Sequence, residues 1–297
     1  MRVLNFGSLN IDYVYTVSHI VQPGETLSAD GRAAYFGGKG LNQSIAMAKA
    51  GVPVFHAGKV GADGGGLLSE CRKYGVDATY IETSDGETGH TVIQVDRSGQ
   101  NSIVLFGGSN RAITHAQIGR VLSQFSAGDF LVLQNEISGL PYLMQQAAAR
   151  GLQIILNPSP CDGALLSCDL SAVRWLVLNE IEGEQLTGEQ ESGGILRALA
   201  GRYPETGVVL TLGGDGAFCQ SGGGRIFQPS FKVTPVDTTA AGDTFLGYFT
   251  AGLYEGLPLP RVMERASAAA ALAITRKGAA PSIPTKEEVT RYLKEAT

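Results

Sequence analysis

Four short runs in which almost every residue is apolar constrain this chain more than any other feature: Phe130–Gln134, 154–157, 175–178 and 208–212. They have the length of strands, and a strand without polar alternation must be covered on both faces, as in a parallel sheet. The intervening sequence predicts helices over 140–150, 181–187 and 195–203. Strand, helix, strand in repetition implies right-handed crossovers onto one mostly parallel sheet. Val3–Phe6 is the expected first strand, and 41–50 a helix closed by Gly51. Further on, 245–254 is a helix ending at Gly256 with Pro258 beyond. Residues 261–275 form a helix apolar nearly all round from Ala266, hence buried. Thr285-Lys286-Glu287-Glu288 is the capping box of a last helix.

Two places break that rhythm. Residues 13–17 and 27–35 read as strands with no helix between them, and 90–96 and Asn101–Phe106 flank the turn Arg97-Ser98-Gly99-Gln100. Strands of antiparallel character do not belong inside a parallel sheet, so the expectation is a small separate sheet built from two insertions. Ile93, Val95, Ile103 and Leu105 alternate onto one apolar face, which has to cover a ligand, another subunit or both. With no internal repeat or linker, the chain is expected to be one α/β unit over 1–297, with insertions at about 13–35 and 90–106.

Composition narrows the class. Apolar residues make up 43% of the 297 and charged residues only 17%, with 40 glycines. That balance opposes disorder and favours a compact fold with many close backbone approaches. The net charge of −5 leaves no basic footprint for nucleic acid or an anionic membrane. The longest apolar stretch, 266–274, falls short of the ~20 residues that span a bilayer. The opening MRVLNFGSLN lacks the apolar run of a secretion signal, and four cysteines without a CxxC do not make a disulfide framework. A cytoplasmic protein is expected.

Several chemistries are absent. Gly38-Lys39 has neither the upstream Gly nor the following Ser or Thr of a P-loop, and Gly214-Asp215-Gly216 has Cys219 where a GxGxxG needs its third glycine. There is no GxSxG elbow. His19, His56, His90 and His115 are scattered without metal-ligand spacing.

The most informative stretch is Val236-Asp237-Thr238-Thr239-Ala240-Ala241-Gly242-Asp243-Thr244-Phe245. It opens a helix, and the small residues Ala240, Ala241 and Gly242 leave the backbone amides unobstructed. A helix N-terminus with exposed amides is a ready anion site. Into it the chain places Asp243, which can accept a proton from a substrate hydroxyl while the amides hold a transferred phosphoryl group. The plainer alternative is that Asp243 only caps the helix.

The segment resembles the DTxAAGDTF signature of the ribokinase family, the PfkB carbohydrate kinases, and the likeness runs along essentially the whole chain. Gly7 to Asp12 is similar to GSxNxD, Pro23 to Thr26 to PGET, and Phe36 to Gln43 to FGGKGxNQ. Asn157 to Pro160 resembles NPAP, Asn179 to Glu184 NExEAE, Thr211 to Gly216 TLGxxG, and Thr275 to Ala279 TRKGA. The resemblance implies a three-layer α/β sandwich with a mostly parallel central sheet and a small β-sheet lid. It implies an ATP-dependent kinase acting on a primary hydroxyl, foremost O5 of D-ribose. Deoxyribose, fructose, a sugar acid or a nucleoside is the alternative acceptor, and a non-catalytic sugar-binding regulator the remaining one.

Site residues follow by resemblance. Asn10 and Asp12, expected at the end of the first strand, hold sugar hydroxyls, with Gly38, Lys39, Gly40, Asn42 and Glu136 in the same pocket. Asp243 is the base, with Ala240, Ala241 and Gly242 supplying amides. Asn179, Thr211, Gly213, Gly214, Gly216, Gly242 and Ser267 lie along the nucleotide; Ser267 stands where the family often carries Asn. Glu182 holds Mg²⁺ through water. Asp237, Thr239, Ala273, Arg276, Gly278 and Ser282 match a K⁺ site, mostly as carbonyl donors, or else Asp237 merely caps its loop. The apolar lid face implies a homodimer through the lid.

Overall fold

The computed structural model describes residues 1–296; Thr297, the last residue of the expected unit, lies outside the described residues. The chain opens with β1 (Val3–Phe6), β2 (Asn10–Thr16), β3 (Gly31–Gly37), α1 (Lys39–Lys49), β4 (Val54–Val60) and α2 (Gly65–Lys73). It continues through β5 (Asp77–Thr83), β6 (Gly89–Val95), β7 (Asn101–Phe106), α3 (His115–Leu122), β8 (Phe130–Gln134), α4 (Leu140–Ala149) and β9 (Gln153–Asn157). Then come α5 (Gly163–Leu166), β10 (Val173–Asn179), α6 (Glu180–Thr187), α7 (Ser192–Arg202) and β11 (Gly207–Thr211). The last elements are β12 (Gly216–Ser221), β13 (Gly224–Pro229), α8 (Ala241–Tyr254), α9 (Leu259–Ala273) and α10 (Lys286–Glu295).

The large sheet has nine strands in the order β13-β12-β11-β10-β9-β8-β1-β4-β5. From β5 across to β11 every pair is parallel; β12 and β13 return antiparallel at the edge. Period-two alternation sends successive side chains to opposite faces. Val3, Val132 and Val54 join the core under α1, α8 and α9, whereas Leu4, Phe6, Leu131 and Leu133 join the core under α3, α4 and α7. The fully buried runs read from the sequence are therefore the inner strands. The β12–β13 hairpin has no counterpart in that reading, because its strands, GAFCQS and GRIFQP, carry no unbroken apolar run of strand length.

The small sheet, β3-β2-β6-β7, stands apart from the large one. It is not antiparallel throughout as expected: β2–β3 and β6–β7 are antiparallel hairpins, but β2 and β6 run parallel. The two hairpins join through their first strands, a pairing set by contacts between residues 79 apart rather than by any local pattern. The expected strand over 27–35 is confined to Gly31–Gly37. Asn10 and Asp12 do not end the first strand, which stops at Phe6; they begin β2 and so belong to the lid. Ile103, Val104, Leu105 and Phe106 of β7 are exposed.

Helices α1 and α8 cross closely against the sheet. A Cβ on Gly247 would lie 2.3 Å from Cβ of Ala46, so only glycine permits this approach. That crossing brings the start of α8 against the start of α1.

Candidate active site

Helix α8 begins without any side-chain cap. Its N-cap, Ala240, has φ of 60° and is the one non-glycine residue with positive φ among the described residues. Asp243 is in the first turn and 8% exposed, and it does not cap the helix. Its carboxylate accepts from Asn42 Nδ2 at 3.1 Å and Gln43 Nε2 at 3.0 Å. One expected amide is already spent: Ala241 N donates to the Thr238 carbonyl at 3.2 Å, because the turn entering the helix closes there. Ala240, Gly242 and Asp243 keep backbone amides with no acceptor among the described residues.

On one side of Asp243, polar residues from α1, the turn after β8 and the start of the small sheet gather close to one another. Gly38, with φ of 96°, turns the chain from β3 into α1 in a conformation that side chains disfavour, and Gly40 packs on Ser8. Glu136, in the turn after β8, accepts from Ser8 Oγ and from Lys39 N at 3.4 Å. Burial raises the Glu136 carboxyl above its ordinary range, the charge of Lys39 only partly offsetting it. Burial alone would depress Lys39, but the surrounding charges of Asp243, Glu136 and Glu182 outweigh it and hold the ammonium above its usual value. Asp12 is likewise raised, chiefly by burial, while Thr91 Oγ1 donates to it at 2.5 Å. Asn110 Nδ2 donates to Asn10 Oδ1 at 2.8 Å, which leaves the Asn10 side-chain amide hydrogens uncommitted among the described residues. Asn42 Oδ1 is buried with no partner among the described residues. An orphaned acceptor beside carboxylates and amide donors fits a polyol, which offers both roles at each hydroxyl.

On the other side is a cavity of about 470 Å³. Its walls include Thr211, Gly213, Gly214, Gly216, Gly242 and Ser267, all expected there, together with Phe231, Val233, Ala270 and Ile274. Asn179 is not part of the wall. It caps α6 instead: its Oδ1 accepts from Glu182 N at 2.9 Å, and its own N donates to Glu182 Oε2 at 3.0 Å. Glu182 is buried, and its Oε1 accepts no hydrogen bond among the described residues.

The loop before α8 is tied to the turn after α9. Val236 N and Asp237 N both donate to the Ile274 carbonyl. Asp237 Oδ1 accepts from Thr239 N and Oγ1, and its Oδ2 from Gly278 N at 2.8 Å. Asp237 therefore does cap its loop. Arg276 pairs with Glu288 at 2.6 Å, and Ser282 Oγ donates to the Ala279 carbonyl at 2.8 Å. Among the described residues there is no cluster of three or more His, Cys, Asp or Glu that would suit a divalent ion; the oxygens here are carbonyls, hydroxyls and one carboxylate.

Ser8, Gln43, Thr91 and Asn110 complete the site and were assigned no role from sequence. Ser8 and Gln43 sit inside recognisable motifs, but Thr91 and Asn110 reach it from 79 and 100 residues away from their partners, with no local signal.

A helix start with uncommitted amides, set between a cluster of paired donors and acceptors and a roomy cavity, is an arrangement that can bring two ligands to one carboxylate. The family model described as pfkB family carbohydrate kinase matches residues 2–286, and the chain belongs to that family. It is 36% identical over 301 residues to the ribokinase of Haemophilus influenzae, covering 98% of this chain and 97% of that protein. The structure of ribokinase from Thermotoga maritima superposes with a TM-score of 0.88 at 33% identity, covering 99% of both chains. That of Arabidopsis thaliana ribokinase complexed with ribose and ATP gives 0.86 at 30% identity, covering 99% of this chain and 98% of that one. The fold is thus ribokinase-like, with a mostly parallel central sheet and a small separate one. No helix among the described residues is long and apolar enough to cross a membrane.

Proposed function

We propose that the chain is an ATP-dependent sugar kinase that converts D-ribose to D-ribose 5-phosphate. The observation that carries this reading is Asp243, a buried carboxylate beside three free amides and between two dissimilar pockets. Ribose sits in the polar pocket against Asn10, Asp12, Gly38, Lys39, Gly40, Asn42 and Glu136. ATP occupies the cavity along Thr211, Gly213, Gly214, Gly216, Gly242 and Ser267. As O5 attacks the γ-phosphorus, its proton passes to Asp243, and the bond from that phosphorus to the β-phosphate oxygen breaks to release ADP. The amides of Ala240, Gly242 and Asp243 hold the equatorial oxygens where charge gathers. Lys39 neutralises the crowded carboxylates and steers the sugar.

Glu182 fits outer-sphere support of Mg²⁺, since one of its oxygens is uncommitted; when bound, that ion offsets phosphate charge. The carbonyls of Ala273, Arg276 and Gly278, with Asp237, Thr239 and Ser282, form a hard-oxygen set suited to K⁺, which would stiffen the loop presenting the amides. The exposed β7 residues Ile103 and Leu105 suit a homodimer in which two lids cover each other.

An ADP-release assay across ribose, deoxyribose, fructose and several nucleosides, in K⁺ and in Na⁺ buffer, tests the reading. Ribose is expected to give the highest kcat/KM and K⁺ the higher rate. A nucleoside outrunning ribose overturns the substrate assignment.

A further inference from the structure

The Asp243 carboxylate ends a buried hydrogen-bond chain that starts on the sheet. Asn5 on β1, His56 on β4 and Gln134 on β8 occupy positions that alternation turns toward α1, where Val3, Val54 and Val132 supply apolar neighbours. All three polar residues are fully buried, an expensive placement that hydrogen bonds offset at every side-chain polar atom except Gln134 Oε1, which has no partner among the described residues. Asn5 Nδ2 donates to the Gly40 carbonyl at 2.7 Å and to Ser44 Oγ at 2.8 Å. Gln134 Nε2 donates to Asn5 Oδ1 at 3.0 Å and to Gln43 Oε1 at 2.6 Å. Gln43 Nε2 then donates to Asp243 Oδ1.

The direction of this chain is forced. A carbonyl only accepts, so Asn5 must turn its amide hydrogens to Gly40 and its oxygen to Gln134. Gln134 must then present hydrogens, Gln43 must receive them on its oxygen, and the hydrogens of Gln43 can point only at Asp243. Burial lowers the His56 pKa to about 4 and keeps the ring neutral, and its Nε2 faces the Gly7 carbonyl at 3.3 Å, which only accepts, so Nδ1 takes the Ser44 Oγ hydrogen while Ser44 Oγ accepts from Asn5. The far end is thereby settled as well.

We propose that Gln43 and Gln134 are positioning residues of the phosphoryl transfer: a polarity-fixed amide relay from the Gly40 carbonyl keeps a donor on Asp243 Oδ1 and orients that carboxylate. The proposal rests on Asp243 being the base. Gln134 touches neither ligand pocket and acts only through Gln43.

The test is a double-substitution cycle with Gln43→Met and Gln134→Met, measuring kcat and both KM values on folded protein. Gln43→Met is expected to lower kcat about tenfold and Gln134→Met about threefold, with both KM values within twofold of the starting protein. The double variant should be no slower than Gln43→Met alone, since the relay is already broken there. Multiplying losses, or a loss carried by KM, overturns the relay. Should Gln134→Met not fold, side-chain amide NMR decides: Asp243→Asn should shift the Gln134 resonances and leave those of exposed Gln100 in place, and an unmoved Gln134 overturns it. If Asp243→Asn turns over at a near-normal rate, the base assignment falls with the relay. If Asp243→Asn is inactive but both glutamine variants are normal, only the relay falls.

Discussion

The two pockets that meet at Asp243 are built in opposite ways. The side proposed for the sugar is dense with titratable groups, the buried Asp243 and the half-buried Asp12, Lys39 and Glu136, each already hydrogen-bonded or charge-paired before any ligand arrives. The cavity side is walled mostly by glycine, alanine and apolar side chains with the hydroxyls of Thr211, Ser230, Thr238 and Ser267, and Lys232 is the one charged residue in its lining among the described residues. A neutral polyol brings no charge, so the protein must supply oriented donors and acceptors. A nucleotide brings its own charge and a flat apolar base, and asks for room and backbone amides.

Removing the shared group should hurt most. Asp243→Asn is expected to lower kcat by two to four orders of magnitude while calorimetry still finds both ligands bound. Next, Glu136→Gln should raise the sugar KM by roughly 10- to 100-fold, the range for losing a charged hydrogen-bond partner, and leave the ATP KM unchanged. A matched rise in both would break the division between the two sides.

Acidity separates them further. His56, behind the sugar pocket, has a pKa of about 4 against an ordinary 6.5. The unfolded chain takes up that proton first, so the stabilisation is complete above pH 6.5 and is lost as pH falls through 4. It amounts to about 3 kcal/mol in full. Asp12 and Glu136 are raised and act in the opposite sense, gaining folded-state preference as they protonate. Urea titrations from pH 7.5 to 4.5 should show a decline that shrinks in a His56→Gln protein. Over the same range the sugar KM should climb more than the ATP KM. The smallest effect is expected from Ser267→Asn, which adds an amide to the cavity. The ATP KM should fall about fivefold, the equivalent of ~1 kcal/mol, with the sugar KM unmoved.

Much of this was legible beforehand because local rules dominate it. The inner strands announce themselves as unbroken apolar runs, and the segment around Asp243 by small residues ahead of an acid. The lid pairing was misjudged because β2 and β6 meet across some 79 residues of chain, and no local pattern distinguishes a parallel partner from an antiparallel one. Asn179 is expected along the nucleotide by resemblance alone; its spacing to Glu182 is that of a capping box, and its Oδ1 is engaged there. Asn5, His56 and Gln134 interrupt apolar strands at inward positions; such interruptions are the readable trace of the relay.

Ala240 carries a last consequence. A left-handed alanine costs on the order of 1 kcal/mol, and here that strain is met once, when the polypeptide collapses, by the neighbours that clamp its loop. On the proposed reading, incoming phosphate would find its cradle already shaped, with no conformational debt to settle at each turnover.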